Sequence, residues 1–179
     1  MKIWTGALLI AAMLMVSGCF DMPSVYSPCT DQSAVAEPRL VGAWQTADGK
    51  EQMFVKLTGD REYRLTYLDD DGEATLWKLR VAKLGGTPVA DLTLAKNDNS
   101  IIPAHHFVAL SFEGATLKAW FLDSGALRET AGKEGLGYIR GKKDEVVLTA
   151  QTSDIAAFLE KNLAGEMKRS PDQEFLPMK

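Results

Sequence analysis

Alternation of apolar and polar residues dominates the chain between about residue 40 and residue 150. Successive side chains of a β-strand point to opposite faces, so a period of two is typical of strands with one buried face. Turn-forming glycine, asparagine and aspartate residues separate the alternating stretches. The pattern predicts about nine short strands, at residues 40–46, 53–57, 63–67, 75–81, 89–95, 106–112, 117–122, 137–140 and 145–150.

The connections between these strands are short, which favours antiparallel hairpins. Gly85-Gly86 and Glu113-Gly114 are typical two-residue turn signals. Consecutive hairpins without a long crossover produce an up-and-down meander. We therefore predict a mainly β fold, an antiparallel meander closed into a small barrel, with a sandwich as the alternative.

Two stretches depart from this period. Residues 152–166 predict an α-helix, because Ile155, Phe158, Leu159 and Leu163 form one apolar stripe at helical spacing. A short connection to the preceding strand favours packing of this stripe on the outer wall of the barrel. Residues 123–134 are polar and predict a short helix or lid.

The N-terminus has the composition of a signal peptide. Lys2 precedes an uncharged stretch, residues 3–16. A helix of that length is too short to cross a bilayer, which needs about 20 residues, but it suits the apolar region of a signal peptide. We therefore assign residues 1–18 to a signal peptide.

The four residues Val16-Ser17-Gly18-Cys19 resemble the lipobox of bacterial lipoproteins. The resemblance implies cleavage before Cys19, attachment of diacylglycerol to its sulfur and acylation, for example with palmitate, of its new amine. Phe20 follows, rather than the aspartate that marks retention in the inner membrane. The resemblance therefore implies a lipid anchor at Cys19 in the cell envelope, in the outer membrane and facing the periplasm.

The remaining chain divides by composition. Residues 19–38 contain three prolines and three serines and predict a lipidated flexible tether. Residues 39–166 are the predicted barrel domain with its helix, and residues 167–179 a loose C-terminal tail. With Cys19 acylated, Cys29 has no partner within the chain, which leaves it either free or in an intermolecular disulfide.

A second resemblance concerns the first strand. Gly42-x-Trp44, followed by a β-meander and a late helix, is similar to the lipocalin or calycin pattern. The resemblance implies that Trp44 closes one end of the barrel beneath an arginine, for which Arg140 is the candidate. Residues 40–166 as a whole are similar to uncharacterised lipocalin-like bacterial lipoproteins, which implies no particular activity.

The composition and the absence of particular motifs argue against several classes of function. The net charge is −4 and there are no basic runs, which disfavours a nucleic-acid partner. The chain lacks a Gly-x-Ser-x-Gly motif and a phosphate-binding loop. His105 and His106 are adjacent, so on a strand they point to opposite faces and do not share a metal. Residues 69–73 lack the late glutamate of a calcium loop and predict a solvated turn. We expect no metal and no cofactor.

Three functions remain open. The first is a non-enzymatic, lipid-anchored protein whose β-domain binds a protein partner in the envelope. The second is a lipocalin-like carrier of a small apolar ligand, and the third is an enzyme with a dispersed site. The candidate pocket lining for a ligand is aromatic: Trp44, Trp77, Trp120, Tyr63, Tyr67 and Phe107.

Overall fold

The computed structural model describes residues 22–95, 104–122, 125–140 and 146–179. Across these ranges the chain forms ten strands, two α-helices and one 3₁₀ turn. The strands are β1 (Gly42–Gln45), β2 (Gln52–Leu57), β3 (Glu62–Leu68), β4 (Ala74–Leu84), β5 (Thr87–Leu94), β6 (His106–Glu113), β7 (Thr116–Phe121), β8 (Tyr138–Arg140), β9 (Val146–Leu148) and β10 (Gln173–Pro177). The helices are α1 (Gly125–Lys133) and α2 (Thr152–Glu166), and the 3₁₀ turn is Pro38–Leu40.

Within the described residues, eight antiparallel strands close into a barrel in the order β1-β10-β7-β6-β5-β4-β3-β2. Strands β1 to β7 follow one another as a meander, as predicted. Strand β10 pairs with both β7 and β1 and closes the barrel. Strands β8 and β9 form a separate two-stranded sheet. The prediction of a small closed barrel with a late helix is confirmed, and the sandwich alternative is not.

The alternation of the strands divides the buried residues into two cores. One face of each barrel strand contributes to an interior core that includes Trp44, Tyr63, Leu79, Leu110 and Phe175. Positive backbone φ angles at the hairpin glycines, as at Gly86 and Gly114, allow the tight turns that keep this register.

The opposite faces of β4 to β7 contribute to an outer core, beneath the two helices and the small sheet. Phe107 and Trp120 lie in this core together with Leu148 of β9. Helix α2 spans the predicted residues 152–166 and buries its apolar stripe here: Ile155, Phe158, Leu159 and Leu163. The prediction that this stripe covers the barrel wall is confirmed.

The predicted flexible tether is wrong for residues 22–37, which form what we call the N-terminal strap. Met22 is only 2% exposed, Ser24 is fully buried and Ala34 is 3% exposed. The strap bonds to His105 just before β6, to β9 and to β4 through backbone pairs at Ser24 and Ala34. Proline and serine suggested a tether, but here the hydroxyls of Ser24 and Ser27 bond backbone groups of an irregular segment that lies on the barrel. Residues 19–21 lie outside the described residues.

The predicted loose tail, residues 167–179, is also wrong, because it contains β10. The strand is short, and Phe175 is its one buried residue. The sequence therefore shows no repeated alternation of apolar and polar residues that would predict a strand. Its stability comes from pairing with strands on both sides rather than from its own sequence.

Trp44 is buried, 7% exposed, near the end of the barrel where the 3₁₀ turn lies. Its indole Nε1 donates to the backbone oxygen of Leu40 at 3.0 Å. The expectation that Arg140 covers it is wrong: β8 lies outside the barrel, and Arg140 contacts the Tyr138 ring at 5.8 Å. Arg39 instead lies over Phe112, at 4.2 Å from the ring centroid, and Phe112 contacts Trp44.

Neither helix in the described part of the chain has the length and apolar character needed to cross a bilayer.

Candidate functional site

The six aromatic residues predicted to line a pocket do not share one environment. Trp44 and Tyr63 lie in the interior core, and the Tyr63 hydroxyl accepts a 2.7 Å hydrogen bond from the Glu37 amide. Tyr67 and Trp77 face the interior near the opposite end and remain partly exposed.

Phe107 and Trp120 belong to the outer core beneath the helices, so they do not lie with the aromatic residues of the barrel interior. Each has the opposite strand parity to the inward-facing residues of its strand. Trp120 donates its indole N–H to the backbone oxygen of Arg169 at 3.0 Å, which fixes the connection between α2 and β10.

A buried carboxylate holds the strap on the outer wall. Asp91 is 5% exposed and accepts a 2.5 Å hydrogen bond from the hydroxyl of Ser27. The same carboxylate bonds the Nδ1 of His105 at 2.8 Å. In a nucleophilic triad the histidine lies between the carboxylate and the hydroxyl, whereas here the carboxylate lies between the other two. This arrangement fastens the strap to β5 and β6 and does not activate Ser27 as a nucleophile.

Cys29 lies beside this cluster and is 6% exposed. Burial, assisted by the negative charge of Asp91, raises the pKa of the Cys29 thiol to about 12. The thiol therefore stays protonated and unreactive near neutral pH. Of the two alternatives for Cys29, this burial favours a free thiol over an intermolecular disulfide.

The two histidines point to opposite faces, as predicted. His105 contacts Asp91 on the outer side, while His106 meets Trp77 edge to face, with ring centroids 5.6 Å apart. Burial lowers the pKa of His106 to about 4, so the ring is neutral near pH 7. Across the described ranges no group of three His, Cys, Asp or Glu side chains is arranged to hold a metal ion. Asp69, in the acidic turn, accepts from the amides of Asp71 and Glu73, as expected of a solvated turn.

One wall of the barrel has no such cover. Among the described residues, all the buried outer-core side chains of barrel strands come from β4 to β7, and none from β1, β2, β3 or β10. We call the outward face of β10, β1, β2, β3 and the adjoining half of β4 the bare wall.

An apolar row crosses the bare wall. The register places Phe54 opposite Ala43 on one side and Thr66 on the other, and Thr66 opposite Leu76. Phe54 is 37% exposed and Leu76 41%. Exposed apolar residues that adjoin across several strands are typical of interaction surfaces.

A row of three cations lies next to it, one step along the strands. Lys56 pairs in register with Arg64, and Arg64 with Lys78. All three are exposed, and their side chains form no salt bridge with any residue that the structure describes. Neighbouring strands are about 4.8 Å apart, so the Cα atoms of the two outer residues lie roughly 10 Å apart. We call these three residues the cation row.

The cation row is unfavourable in the free protein. Like charges directly opposite each other on a sheet destabilise it, and the chain as a whole carries a net charge of −4. Three adjacent unpaired cations on an acidic protein favour an anionic partner. This row was not among the residues predicted from the sequence. The signal was present, because the three residues occupy polar positions of three successive predicted strands, but it needed the register of the hairpins.

Residues 16–20, which include the sequence that resembles a lipobox, lie outside the described residues. Comparison of the chain with protein-family models, with curated proteins and with solved structures found no match.

Proposed function

We propose that this protein is a lipid-anchored bacterial envelope lipoprotein whose barrel binds, without catalysis, an acidic protein partner through the bare wall. The anchor is Cys19, supported by the Val16-Ser17-Gly18-Cys19 motif after an uncharged stretch. The membrane is the outer membrane, supported by Phe20 after the cysteine, and the barrel faces the periplasm.

The cation row is the observation that carries the binding function. Unpaired cations beside exposed apolar residues combine the two contributions of a protein interface, electrostatic steering and burial of apolar area. Phe54 and Leu76 supply the apolar part, and Arg64, at the centre of the row, can form two parallel hydrogen bonds with one carboxylate.

The anchor is tested by replacing Cys19 with serine. Wild-type cells labelled with palmitate are expected to yield labelled protein in the membrane fraction. The Cys19→Ser variant should lose the label and appear in the soluble fraction. A variant that keeps both label and membrane association contradicts the anchor.

The binding surface is tested with a photo-crosslinking amino acid at Thr66, between Phe54 and Leu76. In intact envelopes we expect one discrete crosslinked adduct. The adduct should be lost in an Arg64→Glu variant and weakened at high salt, because a Debye length of about 8 Å at physiological ionic strength shrinks to about 3 Å at 1 M.

The matched control is Lys168→Glu, which makes the same charge change at an exposed residue after α2. This control should leave the adduct unchanged. Equal loss in both variants would indicate that only net charge matters, and an adduct that persists in Arg64→Glu would contradict the cation row as the binding surface.

A second candidate function, carriage of a small apolar ligand, is favoured by one groove. An open groove of about 540 Å³ lies between the strap and the β4–β5 hairpin. Its apolar lining includes Leu110, Phe112 and Met167, and Arg39 and Lys83 lie at the same groove. Cavities of roughly 300–1,000 Å³ accommodate small ligands. Saturable binding of a fluorescent fatty acid, lost in a Met167→Glu variant, would support this function, and absence of saturable binding would contradict it.

A further inference from the structure

The described chain begins very close to the proposed anchor. Met22 is buried, at 2% exposure, so the chain is fixed on the domain from that residue onward. It lies three positions after Cys19 in the sequence, with only Phe20 and Asp21 between them. Since an extended chain covers at most about 3.6 Å per residue, Met22 lies within roughly 11 Å of the acylated cysteine. The connection between the proposed lipid anchor and the folded domain is therefore short.

The strap adds a third strand to the small sheet at the point where it leaves the anchor. The amide of Leu148 donates to the oxygen of Pro23 at 2.8 Å, and the amide of Val25 donates to the oxygen of Leu148 at 2.9 Å. Ser24 also exchanges two 2.8 Å backbone hydrogen bonds with His105. The sheet formed by β8, β9 and the beginning of the strap therefore lies beside β6 and has a fixed position on the barrel.

The alternation in this sheet gives it one buried and one outward face. Ser24 and Leu148 are fully buried, and Val146 is 9% exposed, so these residues point towards the barrel. Their neighbours in sequence point outward. Four outward positions are apolar, and Thr149 beside Val25 is polar; the four are Pro23, Val25, Ile139 and Val147. Ile139 is 58% exposed, the largest exposure among the large hydrophobic residues described. We call these four residues the apolar strap face.

We propose that the apolar strap face rests on the lipid bilayer that holds the anchor. This inference depends on the proposed lipidation of Cys19. The short connection places the face at the height of the lipid headgroups, and its apolar side chains match the headgroup–acyl boundary, where partly buried apolar residues are stable. The cation row lies on β2 to β4, several strands away around the barrel, and remains in water, accessible to a protein partner.

The test is the immersion depth of spin labels on the lipidated protein, reconstituted into phosphatidylethanolamine–phosphatidylglycerol vesicles. One variant carries the label at Ile139→Cys and the matched control at Thr66→Cys on the bare wall. The buried thiol of Cys29, with its pKa raised to about 12, does not compete for the label. Accessibility to oxygen and to a water-soluble nickel chelate gives the depth of each label.

We expect the label at residue 139 to be accessible to oxygen and shielded from nickel, and the label at residue 66 to be accessible to nickel. A label at residue 139 exposed to nickel as strongly as the control would overturn the proposal. A label at residue 139 shielded from both reagents would also overturn it, since a protein surface rather than lipid would then cover the face.

The mass of the same preparation separates this proposal from the proposed function. If the acyl mass is present and the label at residue 139 is exposed to nickel, the apolar strap face does not contact the bilayer, but the lipid anchor at Cys19 is supported. If the acyl mass is absent, the proposed lipidation of Cys19 is wrong, and the proposed contact of the apolar strap face with the bilayer is wrong as well. As a second variant, Ile139→Asp with the label at Val147→Cys should move that label by at least a few ångströms towards water, and an unchanged depth would contradict the proposal.

Discussion

Two neighbouring residues, His105 and His106, differ in chemistry because a strand has two faces. The first lies on the outer wall and bonds the Asp91 carboxylate, and the second lies inside against Trp77. Alternation alone predicted their separation. The identity of the partners could not be predicted, because Asp91 meets Ser27 across 64 positions of sequence. Such contacts depend on how the strap folds back, which no local pattern encodes.

The buried His106 makes stability depend on pH. Its pKa is about 4 in the folded protein and 6.5 as the reference value, so the unfolded chain binds more protons between these values. The contribution of neutral His106 to the free energy of unfolding should be complete above pH 6.5 and should decrease as the pH drops from 6.5 to 4. Below pH 4 this group should cause no further decrease. The loss has an upper limit of about 3 kcal/mol. Because the ring is partly exposed, we expect about 1–2 kcal/mol.

Urea denaturation at pH 7.0, 5.5 and 4.5 measures this effect. The control is His106→Gln, which has no titrating group at this position, and its difference from the wild type isolates the contribution of the imidazole from those of the carboxylates. Parallel pH profiles for the two proteins would show that His106 does not carry the dependence.

At the scale of elements, the strap and β10 are the parts of the fold that the sequence did not reveal. The periodicity of apolar residues predicts seven of the barrel strands and α2. The strap has no period, and β10 has one inward residue, Phe175. Both elements are stabilised by partners that are distant in sequence: β10 closes the barrel, and the strap lies on its outer wall.

Phe175 and Leu176 provide an internal comparison for β10. Phe175 is 5% exposed in the interior core, whereas Leu176 is 40% exposed on the bare wall. Phe175→Ala should lower the free energy of unfolding by about 3–5 kcal/mol, because it empties a large buried site. Leu176→Ala should change it by less than about 1 kcal/mol. Denaturant titration checks both, and equal effects would contradict the placement of β10 in the barrel.

The Asp91 carboxylate should control how often the strap opens. Asp91→Ala leaves Ser27 and His105 without their shared partner, a loss of about 1.5–3 kcal/mol for hydrogen bonds to a charged group. Opening exposes Cys29, so maleimide labelling of its thiol should become at least about tenfold faster, by the conversion of 1.4 kcal/mol per factor of ten.

The control for this experiment is Asp31→Ala. Asp31 also belongs to the strap and pairs with Arg80, but its side chain is 97% exposed. It should change the labelling rate little, since exposed ion pairs contribute about 0–1 kcal/mol. Similar acceleration in both variants would assign the effect to strap charge rather than to the buried cluster.

At the scale of the whole molecule, the charged residues and the elements that cover the barrel are distributed unevenly. The helices, the small sheet and the strap all lie on one side of the barrel, and the bare wall lies on the other. The protein is acidic overall, yet three cations that form no salt bridge with any described residue adjoin on the uncovered side. A surface maintained for binding is expected to cost stability, because the arrangement that suits a partner is strained without it.

This cost can be measured without knowing the partner. Arg64→Glu places an anion between Lys56 and Lys78 and converts two repulsive cross-strand pairs into two attractive ones. Each such pair contributes about 0.2–1 kcal/mol, so the free energy of unfolding should rise by about 0.5–2 kcal/mol at low salt. The gain should shrink at 1 M salt. An Arg64→Glu variant that is less stable at both salt concentrations would contradict the repulsion.

The strand that closes the barrel is made from the last residues of the chain. Trp44 and Gln45, at the beginning of the barrel, pair with Pro177 and Leu176 at its end. During synthesis, β1 and β7 therefore keep one edge unpaired until the C-terminus is available. Contacts of such high contact order form late and slowly. The barrel therefore stays open between β1 and β7 until residues 173–177 have been synthesised, and its closure is expected to be the slow step of folding.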